Sequence, residues 1–157
     1  GIDDGALAHK AAVVRRAIEI NRPDPKDGLD VLIKVGGFEI GVLAGVMLGA
    51  AAGQRPLVVD GFISGAAALI AFTIAPQARH RFIASHQSVE PGHRIQLDAM
   101  KLSPLLDMGM RLGEGTGAAL AMHIIEASAK CLSDMATFAE AGVSERIEEE
   151  DGNEAAH

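Results

Sequence analysis

The sequence predicts an α/β domain built on a parallel sheet, and three observations carry that expectation. Two short β-type runs, Pro56–Val59 and Phe82–Ala84, each end in a glycine or small polar loop and are followed by helical periodicity. A third apolar run, Val31–Val35, meets Gly36–Gly37 and leads into another helical pattern. The 157 residues suffice for one domain with a core, built from Ala, Val, Ile, Leu and Met because only five residues are aromatic, all Phe.

Taken in order, Ala6–Ile20 reads as an amphipathic helix closed by the loop Asn21–Gly28, which carries two prolines. Val31–Val35 is short and reads equally as a strand or as the first half of a helix–turn–helix. Helical periodicity then runs from Phe38 to about Ala52. Pro56–Val59 ends at Asp60–Gly61, followed by a helix from about Ile63 to Ile74. Phe82–Ala84 ends in the loop Ser85–His86–Gln87–Ser88, and Pro91 opens a helix to about Met100. Gly117 to about Phe138 is the longest expected helix. Residues 143–157 form an acidic tail expected to lack order, leaving 1–142 as the folded part.

Charge narrows the function. Six acids and one Arg lie between Glu145 and Glu154, so five of the seven net negative charges sit in the tail. The body is close to neutral and offers no basic face for nucleic acid. The longest uncharged stretch, Gly61–Gln77, is interrupted by Gly, Ser, Thr and Pro and reads as a buried helix, not a span of about 20 apolar residues. With one cysteine, Cys131, no internal disulfide forms, which fits a reducing, cytoplasmic setting. Cys131 itself is expected to be a buried thiol in an apolar helix.

The candidate chemistry falls at loops. In open α/β sheets ligands bind outside the carboxyl ends of the strands, where Asp60–Gly61 and Ser85–Ser88 lie beside helix starts suited to phosphate. RLGEGTGAALAM (Arg111–Met122) sets Glu114 among Gly113, Gly115 and Gly117 before an alanine-rich helix, another start open to an anionic ligand. Glu114 either complements the helix dipole or does chemistry there. The same glycines match the dinucleotide pattern formally, but no second strand ending in an acid follows. His86 and His93 with Glu90 match no zinc spacing and read as loop or capping residues, so no metal is expected. His123, Met108, Met110 and Met122 read as packing residues, with Met110 and Met122 able to floor an apolar pocket. Lys10 reads as a solvated lysine and Asp60 as a cap of the helix that follows it.

Four segments, KVGGFEI (Lys34–Ile40), VDGFISGAAAL (Val59–Leu69), SHQSVEPGH (Ser85–His93) and LLDMGMRLGEGTGAALAM (Leu105–Met122), resemble in this order the nicotinate-nucleotide:dimethylbenzimidazole phosphoribosyltransferase family. The resemblance runs from Gly1 to about Gly142 and matches the C-terminal half or so of a typical member. It implies a Rossmann-like parallel sheet flanked by helices, as an incomplete part of a larger domain, with helices that join a small helical domain. The lack of an initiator Met agrees with a fragment or a processed chain.

The implied reaction moves phosphoribosyl from nicotinate mononucleotide to 5,6-dimethylbenzimidazole, giving α-ribazole 5′-phosphate and nicotinate without a cofactor. By resemblance, Glu114 stands at the general base, and Lys10, Gly61 and Ser88 hold the phosphate. Asp60 and Glu39 lie near the ribose, although Glu39 is often the shorter Asp. Leu112, Gly113 and Gly115 flank the benzimidazole. The family is a homodimer with sites near the interface. Taken alone, the chain is expected to be inactive. The alternatives are a non-catalytic fragment that binds phosphate or a partner chain and, against the evidence of the misplaced acid, a dinucleotide oxidoreductase.

Overall fold

A computed structural model describes residues 4–143. The expected acidic tail lies outside the described residues, Val143 apart. The chain divides into two compact units, Gly1–Ile124 and Ile125–His157. Helix α1 spans Asp4–Asn21, α2 Gly28–Val35 and α3 Phe38–Ala52, followed by strand β1, Leu57–Val59, and α4, Phe62–Ile74. A 3₁₀ turn over Pro76–Arg81 leads to β2, Phe82–Ala84, and β3, His86–Ser88. Then come α5, Pro91–Met100, β4, Leu106–Met110, and α6, Thr116–Asp134.

The ambiguous run Val31–Val35 is helical, and its ends explain why. The Asp27 carboxylate accepts the N–H groups of Leu29 and Asp30 at 3.0 and 3.2 Å, satisfying donors that open every helix. One turn apart, Lys34 pairs with Asp30 at 2.8 Å, each charge at the end of the helix that favours it. The Gly36–Gly37 pair then breaks the chain before α3.

Among the described residues all strand pairing is parallel, as the strand–helix alternation predicts. β1 pairs with β2, Leu57 opposite Phe82 and Val59 opposite Ala84, while β3 pairs with β4 through His86–Leu106 and Ser88–Met110. Ser85 joins the two pairs: its N–H donates to the Val59 carbonyl at 2.9 Å and its carbonyl accepts the Leu106 N–H at 3.0 Å. Residues 82–88 are thus one extended segment, bonded to β1 along its first half and to β4 along its second. This corrects the loop expected at Ser85–Ser88. The pairing depends on β4, which no local pattern announces, because LDMGM has no alternation; its Gly109 sits at φ +62°.

The core is made of small residues. Ala67, Ala68 and Ala71 of α4 are fully buried against Met47, Val59, Phe82 and Met100. With Gly65 also buried, α4 has almost no side-chain bulk on that face, so α2, α3 and α5 all pack closely on it. Among the described residues no helix is long and apolar enough to cross a membrane.

Several packing expectations fail. Cys131 is exposed, on a helical segment whose side chains are exposed from Glu126 onward, so the usual burial of free cysteine has nothing to act through. His123 is exposed as well. Met108 and Met122 are each 55% exposed instead of filling a core. α6 also stops at Asp134, short of Phe138.

Candidate active-site cleft

The carboxyl ends of β1, β3 and β4 open into one cleft of about 800 Å³, all of it within the first unit. After β1 come Asp60 and Gly61, at the end of β3 stands Ser88, and after β4 come Arg111 to Gly115. Strands that start a parallel sheet side by side finish side by side, so residues more than fifty positions apart meet there. Leu43, Val46 and Met47 of α3, with Phe62 and Ile63 of α4, supply apolar lining; Lys10 of α1 adds a cation.

Of the residues singled out in the sequence, Lys10, Asp60, Gly61, Ser88, Leu112, Gly113, Glu114 and Gly115 all line this cleft. Glu39 does not. It sits exposed in the first turn of α3, with its carboxylate over Gly37, where it complements the positive end of that helix. Met110 and Met122 do not line the cleft either; Met47 does. His86, Glu90 and Arg111 line it without having been read as site residues. Arg111 was legible only once β4 was recognised as a strand.

Asp60 caps a helix, but not the one that follows it. Its carboxylate accepts the N–H of Ala118 at 2.9 Å and of Gly115 at 3.2 Å, so it closes the start of α6. The start of α4 has Gly61 as its cap and no side-chain acceptor. The two helix starts at the cleft therefore differ. At α6 two donors are already taken by a carboxylate, whereas α4 presents its first turn without a capping side chain. An anionic ligand is favoured at α4, beside Ser88 and Lys10, and disfavoured at α6. Arg79 and Arg81 lie apart from the cleft, engaged with the Met100 carbonyl and Gln54.

Glu114 is exposed at the cleft in a strained backbone. Gly113, Glu114 and Gly115 have φ of +78°, +56° and +78°. Left-handed geometry suits the two glycines and costs an ordinary side chain about 1–2 kcal/mol. A carboxylate kept at such a position marks a candidate for function.

Behind these groups lies a buried polar set. Ser85 Oγ donates to the Asp60 carbonyl at 2.9 Å and stands 3.1 Å from His86 Nδ1. His86 Nδ1 is 3.9 Å from Asp60 Oδ1. His93 Nδ1 accepts the Ser88 N–H at 3.0 Å and ties the end of β3 to the first turn of α5, so His93 is a helix residue and His86 a buried strand residue, neither of them the loop or capping residue expected. Burial lowers the pKa of His93 below its ordinary 6.5, the nearby His86 lowers it further and Asp60 opposes both. A neutral His93 keeps the lone pair that Ser88 needs.

A family model described as "Phosphoribosyltransferase" matches residues 1–143. A nicotinate-nucleotide–dimethylbenzimidazole phosphoribosyltransferase of Chloroflexus aggregans is 64% identical over 148 residues, 94% of this chain and 42% of that protein. One of a Roseiflexus species is 62% identical over the same shares. Among solved structures, the enzyme of that name from Thermus thermophilus superposes with a TM-score of 0.84 at 46% identity, covering 91% of this chain and 43% of its own. The chain thus spans about 42% of the length of the curated relatives it matches.

Proposed function

We propose, from the premise that this chain belongs to the phosphoribosyltransferase family, that it forms part of an enzyme moving phosphoribosyl from nicotinate mononucleotide to 5,6-dimethylbenzimidazole. The relatives named for that reaction and the cleft chemistry support the reading together. The observation that carries it is one cleft holding a carboxylate on bare backbone, Glu114, and a separate anion subsite at the start of α4 with Lys10 and Ser88.

The nucleotide phosphate binds at Gly61, Lys10 and Ser88, and the benzimidazole lies along Leu112, Gly113 and Gly115. One ring nitrogen of the base attacks C1′ of the ribose, and the C1′–nitrogen bond to nicotinate breaks, its electron pair neutralising the pyridinium. Glu114 takes the N–H proton from the other ring nitrogen, so positive charge does not build up on the benzimidazole. The products are α-ribazole 5′-phosphate and nicotinate, and no cofactor enters. A pyridinium leaves without an acid, so one base and correct positioning suffice. The working enzyme is a cytoplasmic homodimer in this reading.

Glu114→Gln in the complete enzyme tests it. The change keeps shape and reach but removes the proton acceptor, so kcat is expected to fall by about 10² to 10⁴, with nucleotide binding measured by calorimetry little changed. An unchanged kcat would refute the assignment of Glu114 as base.

A further inference from the structure

We propose that His86 is a positioning residue for Glu114: with Ser85 it holds Asp60 in place, and Asp60 in turn fixes the start of α6 and the loop that carries the base. The inference rests on the reading of Glu114 just given and concerns a residue at the floor of the cleft that acts through the base.

The geometry is a chain of contacts. His86 is 2% exposed, wedged between two helix starts. An added Cβ at Gly61 would lie 3.3 Å from His86 Cε1, and one at Gly117 would overlap His86 Nδ1. Both glycines leave room for the same ring. Ser85 gives its hydroxyl proton to the Asp60 carbonyl, so its oxygen is free to accept, and the proton of His86 lies on Nδ1, facing Ser85 and Asp60. His93 packs edge-on against His86 with ring centres 6.0 Å apart, closing the other side.

Asp60 then carries the restraint to the base. Its two carboxylate oxygens hold the N–H groups of Gly115 and Ala118, and Gly115 is the residue after Glu114. The left-handed turn at residues 113–115 is strained and exposed, so something rigid must hold it. The buried ring does so by filling the notch under Gly117, with its Nδ1 3.9 Å from the Asp60 carboxylate that caps the helix.

The test is a double-mutant cycle in the complete enzyme. His86→Ala is expected to lower kcat by about 10²-fold, the loss that a misplacement of about 1 Å can cause. In a Glu114→Gln background the same change is expected to cost no further rate, because a residue that acts only through the base has nothing left to act on. Equal losses in both backgrounds, or none in either, would overturn the proposal. An intact rate in Glu114→Gln alone would instead overturn the reading of the base.

Two further variants hold should His86→Ala fail to fold. His86→Asn keeps a donor near the Nδ1 position and is expected to retain more rate than Ala. Gly117→Ala should firm a helix by propensity alone, yet is expected to displace the ring, lower kcat and speed hydrogen exchange over residues 113–119. Unchanged rate and exchange in Gly117→Ala would refute the wedge.

Discussion

At Glu114 two demands on one residue pull apart. The backbone asks for glycine, since φ is +56° between two glycines at +78°, while the proposed chemistry asks for a carboxylate. Replacing Glu114 by Gly is expected to raise stability by about 1 kcal/mol, because glycine adopts that geometry freely, and to remove turnover. Denaturant melts and initial rates on one variant check both halves. A carboxylate of purely electrostatic value at a helix start would give the opposite pattern, with stability lost and rate kept. Glu114 was legible as a candidate from its glycine setting alone. Asp60 was legible only in part: a capping acid reads naturally onto the next helix, and nothing local reveals that its partners are 55 and 58 residues away.

Helix α4 shows why an element's composition has to be read against its neighbours. Gly65 lies inside it, where Ala would be favoured by about 1 kcal/mol on propensity. Here an added Cβ would overlap Gln96 Oε1 and come within 3.2 Å of His93 Cδ2, both on buried side chains of α5. Gly65→Ala is therefore expected to destabilise by about 1–3 kcal/mol, the range for overpacking, and thermal melts decide the sign. The bounds of α3, α4 and α5 were close to legible because glycine, proline and polar loops punctuate them. β4 was not, since a strand of five residues without alternation is recognised by its pairing and not by its pattern.

For the molecule as a whole, His93 couples the site to folding. Burial holds its pKa in the fold below the ordinary 6.5, so the unfolded chain takes up a proton more readily. Stability is therefore full above about pH 6.5 and falls as the pH drops toward the depressed folded value. His93→Asn keeps an acceptor for the Ser88 N–H but does not titrate there. It is expected to be less stable near neutrality and to lose less on acidification, read from melts between about pH 8 and about pH 5.5. Matching slopes in both proteins would remove His93 from this role.

The amino-acid sequence by itself determined most of the helices, the parallel α/β class and the loops that gather at the cleft, because these follow from local periodicity and from punctuation by Gly and Pro. It also marked Lys10, Gly61, Ser88 and Glu114 through a motif order that resembles one family. Only the tertiary structure decided that Val31–Val35 is helix, that Ser85–Ser88 continues a strand, that Asp60 caps α6 and that Glu39 stands outside the cleft. It also set Cys131 and His123 in solvent. Each of those outcomes depends on what a distant segment offers: a backbone to pair with, a donor to satisfy or a surface to bury against. Local pattern holds no record of such a partner until the chain has brought it near.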